Sequence, residues 1–158
     1  MSGPVYHNRT HRANAPDGIP VLVHLRVTSD TGTVATGDNA KRFVVTDDLG
    51  GTRLRSAHFS VTTPSTSGTL QLQVVNLTAG TVDLLSTPTR IDASETTSYT
   101  AGTQHVMGTA NIVVGSSTVP TNYIARGDVL RIDVDAAGSG AKGLEALLEF
   151  GPPLLKLT

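Results

Sequence analysis

The chain contains no cysteine and no tryptophan. Without thiols there can be no disulfide framework, thiolate metal site or cysteine nucleophile, so a core must hold by packing alone. Aromatic residues make up only 4%, three Tyr and three Phe, which argues against glycan stacking. Charged residues are 16% and the formal net charge is −1, so the chain as a whole has no field to hold nucleic acid or an anionic membrane surface. No early segment joins a basic start to an apolar run of roughly 7 to 15 residues, and no window approaches about 18 apolar residues. Neither a signal peptide nor a membrane span is therefore expected, and the protein should be soluble and not exported by that route. Phosphate cradles of the GxxxxGK[ST] or strand-GxGxxG type are missing. None of the twelve Ser residues sits in a Gly-x-Ser-x-Gly elbow.

What the chain does have is threonine and serine, 35 of 158 residues together. With 38% hydrophobic residues this composition favours strands over helices. The length is that of one ordinary domain, which buries roughly two thirds of its unfolded surface.

Residues 1–18 are polar, with two Pro and two Gly, and show no apolar period; they read as an extended arm. From Ile19 the pattern changes. Val21, Val23, Leu25 and Val27 alternate with Leu22, His24 and Arg26, as in a strand with one buried face. The same alternation recurs at Leu70, Leu72, Val74 and at Leu130, Ile132, Val134. Further strands are predicted over residues 42–46, 55–62, 69–77 and 81–85, separated by turn-rich stretches at 48–51, 64–68, 79–80, 115–118, 126–128 and 136–140. Residues 143–150 fit both a helix and a strand period; flanking Gly and short length favour a strand. The expected architecture is all-β, a single jelly-roll-like β-sandwich over residues 19–151, with the arm before it and a C-terminal tail over residues 152–158.

Two runs carry a resemblance. LLSTPTRIDASETTS over residues 84–98 precedes GDVLRIDVDAAGSGAKGLEALLEF over residues 127–150. The combination of an Ile-Asp-Ala-x-Glu-Thr stretch, an Asp-rich alternating strand and a Gly-Ser-x-x-Ala/Gly-Lys-Gly-Leu turn resembles a small β-rich module of tailed-bacteriophage virion proteins, among them head fibre, decoration and tail adhesin-like proteins. It spans roughly residues 53–151. Ser94 stands where the resembling modules carry Gly, and Glu145 and Glu149 make the last strand more acidic. The resemblance implies a β-sandwich, commonly trimeric, serving in a virus particle.

Chemistry-bearing groupings each have a plainer reading. Asp133 and Asp135 would lie on one strand face about 6 to 7 Å apart, a cation or acid–base spacing, but a solvated strand face explains them as well. Asp47 and Asp48 before Gly50-Gly51 read as turn chemistry. His7 and His11 would be one turn apart on a helix, as zinc ligands can be, but Pro4 and Pro16 disfavour that helix. Arg126-Gly127-Asp128 reads as a β-turn ahead of a strand. The sequons at Asn8 and Asn76 matter only in a secreted eukaryotic chain. No catalytic residue, metal or cofactor is expected, and the chain is not read as an enzyme.

Charge is unevenly distributed. Residues 1–60 hold seven Lys/Arg against five Asp/Glu, and residues 61–158 hold five against eight. The arm has Arg9 and Arg12 and no acid before Asp17. Tyr6, His7, Arg9, His11 and Arg12 form a dense cluster of anchor-type side chains, suited to an acidic protein partner. Two Arg are too few for a nucleic-acid surface. With the resemblance, the expected role is a capsid decoration (cement) protein on the virion exterior, a homotrimer held to the major capsid protein through those five residues. It has neither the long repeats nor the heptads of a fibre shaft. A phage tail or baseplate receptor-binding module is the alternative.

Overall fold

The computed structural model describes residues 20–78, 80–99, 106–108, 111–114 and 116–151. These residues form an all-β structure without a helix. In chain order the strands are β1 (Val21–Arg26), β2 (Gly37–Val44), β3 (Arg53–Ser60), β4 (Leu70–Asn76), β5 (Val82–Asp83), β6 (Leu85–Thr87), β7 (Thr89–Ile91), β8 (Val106–Met107), β9 (Asn111–Val114), β10 (Ser117–Pro120), β11 (Val129–Ala137) and β12 (Glu145–Gly151). The ambiguous stretch at 143–150 is a strand, β12. The second predicted strand, 42–46, begins earlier than its alternation suggests, at Gly37, because its first half is exposed along its whole length and has no buried face to mark it.

Two antiparallel sheets carry the architecture. One has the order β1-β12-β3; the other runs β2-β11-β4-β5, with β7 also pairing with β4. The chain therefore passes from sheet to sheet at β1 to β2, β2 to β3, β3 to β4 and β11 to β12. Beyond β3, Thr97 bridges Ser60 and extends the first sheet by a stub. This alternation of sheets builds a β-sandwich, as expected. Two smaller ladders, β6-β8 and β10-β9, complete the strands.

Alternation along each main strand builds one contiguous core between the sheets. Leu54, Ala57 and Phe59 of β3 and Ala146, Leu148 and Phe150 of β12 meet Leu70, Leu72 and Val74 of β4 and Leu130, Ile132 and Val134 of β11. Phe43 packs edge-on against Phe150 across the sheets, with centroids 6.5 Å apart at 75°, a favoured aromatic geometry.

The link from β11 to β12 leaves strand pairing behind, and its backbone groups must find other partners. Neighbouring loops supply them. Lys142 exchanges backbone hydrogen bonds with Thr63, Val34 N–H donates to the Ala141 carbonyl, and the Leu144 carbonyl accepts from Val27 and Thr28. Hydroxyls do the rest: Thr28 Oγ1 accepts from Leu144 N–H, Ser65 Oγ accepts from Ser139 N–H, and Thr62 Oγ1 donates to the Asp30 and Lys142 carbonyls. Part of the Ser/Thr excess is thus spent on satisfying this crossover.

Backbone conformation at two positions gives a test. Gly143 has φ +70°, and a Cβ there would run into the Thr62 side chain. Ser94 has φ +67°, a left-handed conformation that costs a side-chain-bearing residue about 1 to 2 kcal/mol. Gly143→Ala should therefore destabilise the fold by at least about 1 kcal/mol, whereas Ser94→Gly should stabilise it by up to about 1 kcal/mol. Chemical denaturation of the two variants checks both signs.

Candidate functional site

The outward face of the β1-β12-β3 sheet follows directly from the register. His24 of β1 and His58 of β3 both lie opposite Leu147 of β12. Leu22 and Ser56 flank Glu149, and Arg26 and Ser60 flank Glu145. Two apolar side chains stand on this outer face, Leu22 at 61% and Leu147 at 37% exposure, where a solvated strand would carry polar residues. The chain after β7 brings a further ring to it. Ser98 N–H donates to the Phe59 carbonyl and Ser98 Oγ accepts from Phe59 N–H. That pins the next residue, Tyr99, against His58, with ring centroids 3.9 Å apart and planes within 9°.

Together these residues border a groove of about 240 Å³, lined by His24, His58, Tyr99, Glu145 and Leu147 among others. Glu145 is the electrostatic hub of the rim. One of its oxygens lies 3.0 Å from His24 Nε2, and the other accepts from Arg26 at 3.2 Å. Arg26 also pairs with Asp30 at 3.0 Å. Burial holds the His58 imidazole below the ordinary histidine range, partly offset by Glu149. His58 is accordingly neutral at physiological pH, which suits a stacked, half-buried ring. None of this constellation was singled out in the sequence. His24 and Glu145 are 121 residues apart, and only the register brings them together.

No family model, curated protein or solved structure matches this chain. What the site can do is therefore argued from its own geometry.

The residues singled out in the sequence fall in different places. Tyr6, His7, Arg9, His11 and Arg12 lie outside the described residues, as do residues 152–158. Arg126-Gly127-Asp128 is a turn, with Gly127 at φ +86°. Asp128 N–H donates to the Ala125 carbonyl, and the Asp128 carboxylate accepts from Ala125 N–H and Asn76 Nδ2, both at 2.8 Å. Asn76, being buried and committed to Asp128, offers no free amide for glycosylation. Asp47 pairs with Arg126 at 2.7 Å. Among the described residues no three His, Asp or Glu side chains converge as a metal site.

Asp133 departs from its reading as a solvated strand carboxylate, for it is only 4% exposed. The β2–β11 register shifts between Ile132 and Val134, and the bulged β2 chain lies over it. Asn39, at φ +63°, donates its N–H to Asp133 at 3.0 Å, and Arg131 Nε approaches the same carboxylate at 2.8 Å. Asp133 is thus the cap of a β-bulge. Asp135 remains exposed, and its carboxyl is pushed above the ordinary range, first by partial burial and then by Asp133, Asp83 and Asp38.

The two aspartates therefore separate on mutation. Asp133→Asn should cost about 1 to 3 kcal/mol, because it weakens a charge-assisted, buried pair and leaves Arg131 with the more distant Asp38 at 3.4 Å as its charged partner. At Asp135 the folded state holds its proton more tightly than the unfolded chain, so this group's contribution to stability is present at low pH and lost as pH rises through the raised carboxyl range. Asp135→Asn should stabilise the fold slightly at pH 7, by less than about 1 kcal/mol given its exposure, and raise Tm accordingly. That gain should vanish on acidification below the ordinary aspartate range. Thermal unfolding of both variants across pH 3 to 7, the span in which carboxyls titrate, roughly about 4 units, is the measurement.

Proposed function

We propose that this chain is a tailed-bacteriophage capsid decoration protein that assembles as a homotrimer on the capsid exterior and binds the major capsid protein. The observation that carries this reading is the apolar outer face of the β1-β12-β3 sheet. On the β2-β11-β4 sheet the outward positions Gln73 and Val75 are buried, with the Gln73 amide bonded to the backbone of Leu85. On the β1-β12-β3 sheet Leu22 and Leu147 stay exposed, a face that a lone sandwich gains nothing by leaving apolar. Both β1 and β2 are edge strands, with Val21, Val23, Leu25 and Phe43 only partly buried. A homo-oligomer built on Leu22 and these edges would complete the burial.

Jelly rolls recur in viral capsid proteins and lectins, which is compatible with this role, and the sequence resemblance points the same way. Tyr6, His7, Arg9, His11 and Arg12 are the proposed capsid contacts, and trimerisation would multiply weak contacts into a firm clamp. Receptor binding at a tail or baseplate is the second reading, favoured by the groove beside Tyr99.

Sedimentation equilibrium should give three times the chain mass, and Leu22→Lys should shift it to the monomer. Removing residues 1–17 should leave Tm within a few degrees of the parent while abolishing co-sedimentation with undecorated particles. Replacing Arg9 and Arg12 by Ala should weaken that binding by about 1 to 2 kcal/mol per residue, more at low than at high salt. A monomeric parent protein, or equal particle binding by all variants at both salt concentrations, contradicts the proposal.

A further inference from the structure

The groove between β1, β12 and β3 combines features that select a ligand class. Its wall is an aromatic ring in a chain with six, and Tyr99 is 64% exposed although a tyrosine stacked on a histidine could have been tucked away. Its floor is the apolar side chain of Leu147. On its rim, His24 and Glu145 are joined at 3.0 Å, and Arg26 meets the second Glu145 oxygen. At about 240 Å³ the space is smaller than the sites that enclose drug-sized ligands, which start at roughly 300 Å³, and matches a single ring.

Physical chemistry narrows the occupant. An anion would meet the Glu145 carboxylate. A cation would find that carboxylate already matched by Arg26 and His24. A wholly apolar ring would strip water from the rim groups and give them nothing in return. A neutral ring with one C–H face and several hydroxyls satisfies every wall. Its C–H face lies on Tyr99 and Leu147, and its hydroxyls donate to the lone pairs that a carboxylate retains beyond two partners.

We propose that this groove binds a single hexopyranose unit, stacked on Tyr99 and hydrogen-bonded by Glu145 and His24. The inference stands on the groove alone and is independent of where in a virion, or whether in one, the protein acts. The unit is supplied either as a free monosaccharide or as the end of a glycan.

Amide-resolved NMR titration of the full chain with the methyl pyranosides of glucose, galactose, mannose and N-acetylglucosamine tests it, with each sugar also offered at the end of a trisaccharide. At least one sugar should give saturable shifts confined to residues around His24, His58, Tyr99 and Leu147, with a Kd on the order of millimolar. Tyr99→Ala should weaken binding at least tenfold while leaving Tm unchanged, since the ring is exposed. Glu145→Gln should weaken it as well, and Arg42→Ala, outside the groove, should have no effect. Equal affinity for pyranoside and trisaccharide identifies the free sugar as sufficient; tighter trisaccharide binding identifies a glycan end. No saturable shift with any sugar up to about 50 mM, some tens of times the expected Kd, overturns the proposal. So does binding that Tyr99→Ala leaves intact, or shifts that glycerol reproduces.

Discussion

The two strands at the C-terminal end, β11 and β12, are the constraint on which the rest of the molecule depends. Each is an inner strand of its own sheet: β12 lies between β1 and β3, and β11 between β2 and β4. Strands β1, β2 and β3 find their ladder partners only when these two are in place. The seven residues between them carry the chain from one sheet to the other, and no ladder satisfies their backbone. That duty falls on Thr28, Thr62, Thr63, Ser65 and Thr66, which reach this link from two loops. With no disulfide to close the fold, this crossover and the core under it fix how the sheets face one another. Nearly every major contact is long-range in sequence, so pairing of the early strands must wait for the last ones.

The same arrangement makes the two outer faces unequal. The chain between β4 and β11 runs over the outside of its own sheet, burying Gln73 and Val75. Among the described residues, the outside of the β1-β12-β3 sheet receives the stub that carries Tyr99. Exposed apolar side chains, an ion-paired carboxylate and a stacked aromatic pair therefore collect on this face, while on the other the middle of β4 is buried. That inequality, more than any single residue, is why the open face is read as the binding surface.

Much of the architecture was legible from alternation. Leu70, Leu72, Val74 and Leu130, Ile132, Val134 are the inward residues of β4 and β11, and the choice of a strand at 143–150 holds, although Gly151 belongs to the strand rather than to a turn. The start of β2 was hidden because residues 37 to 40 bulge away from the core and carry no periodic signal. Asp133 was misread for the same reason: alternation correctly points it away from the core, but a bulge in the neighbouring strand covers it, and bulges leave no mark in a single strand's pattern. The groove was illegible for a different reason. The outward positions of His24, His58 and Leu147 can each be read from their own strands, but which residues stand side by side is set by a register between strands more than a hundred residues apart.

Native-state hydrogen exchange tests most directly the claim that β11 and β12 organise the fold. Amides in the middle of these two strands, such as Ile132 and Leu148, should be the slowest in the molecule and should exchange only through global unfolding. Those on the open edges of β1 and β2 should exchange through local opening. A slowest-exchanging set located in β1, β2 or the β9-β10 ladder, with β11 or β12 opening locally, would contradict the account.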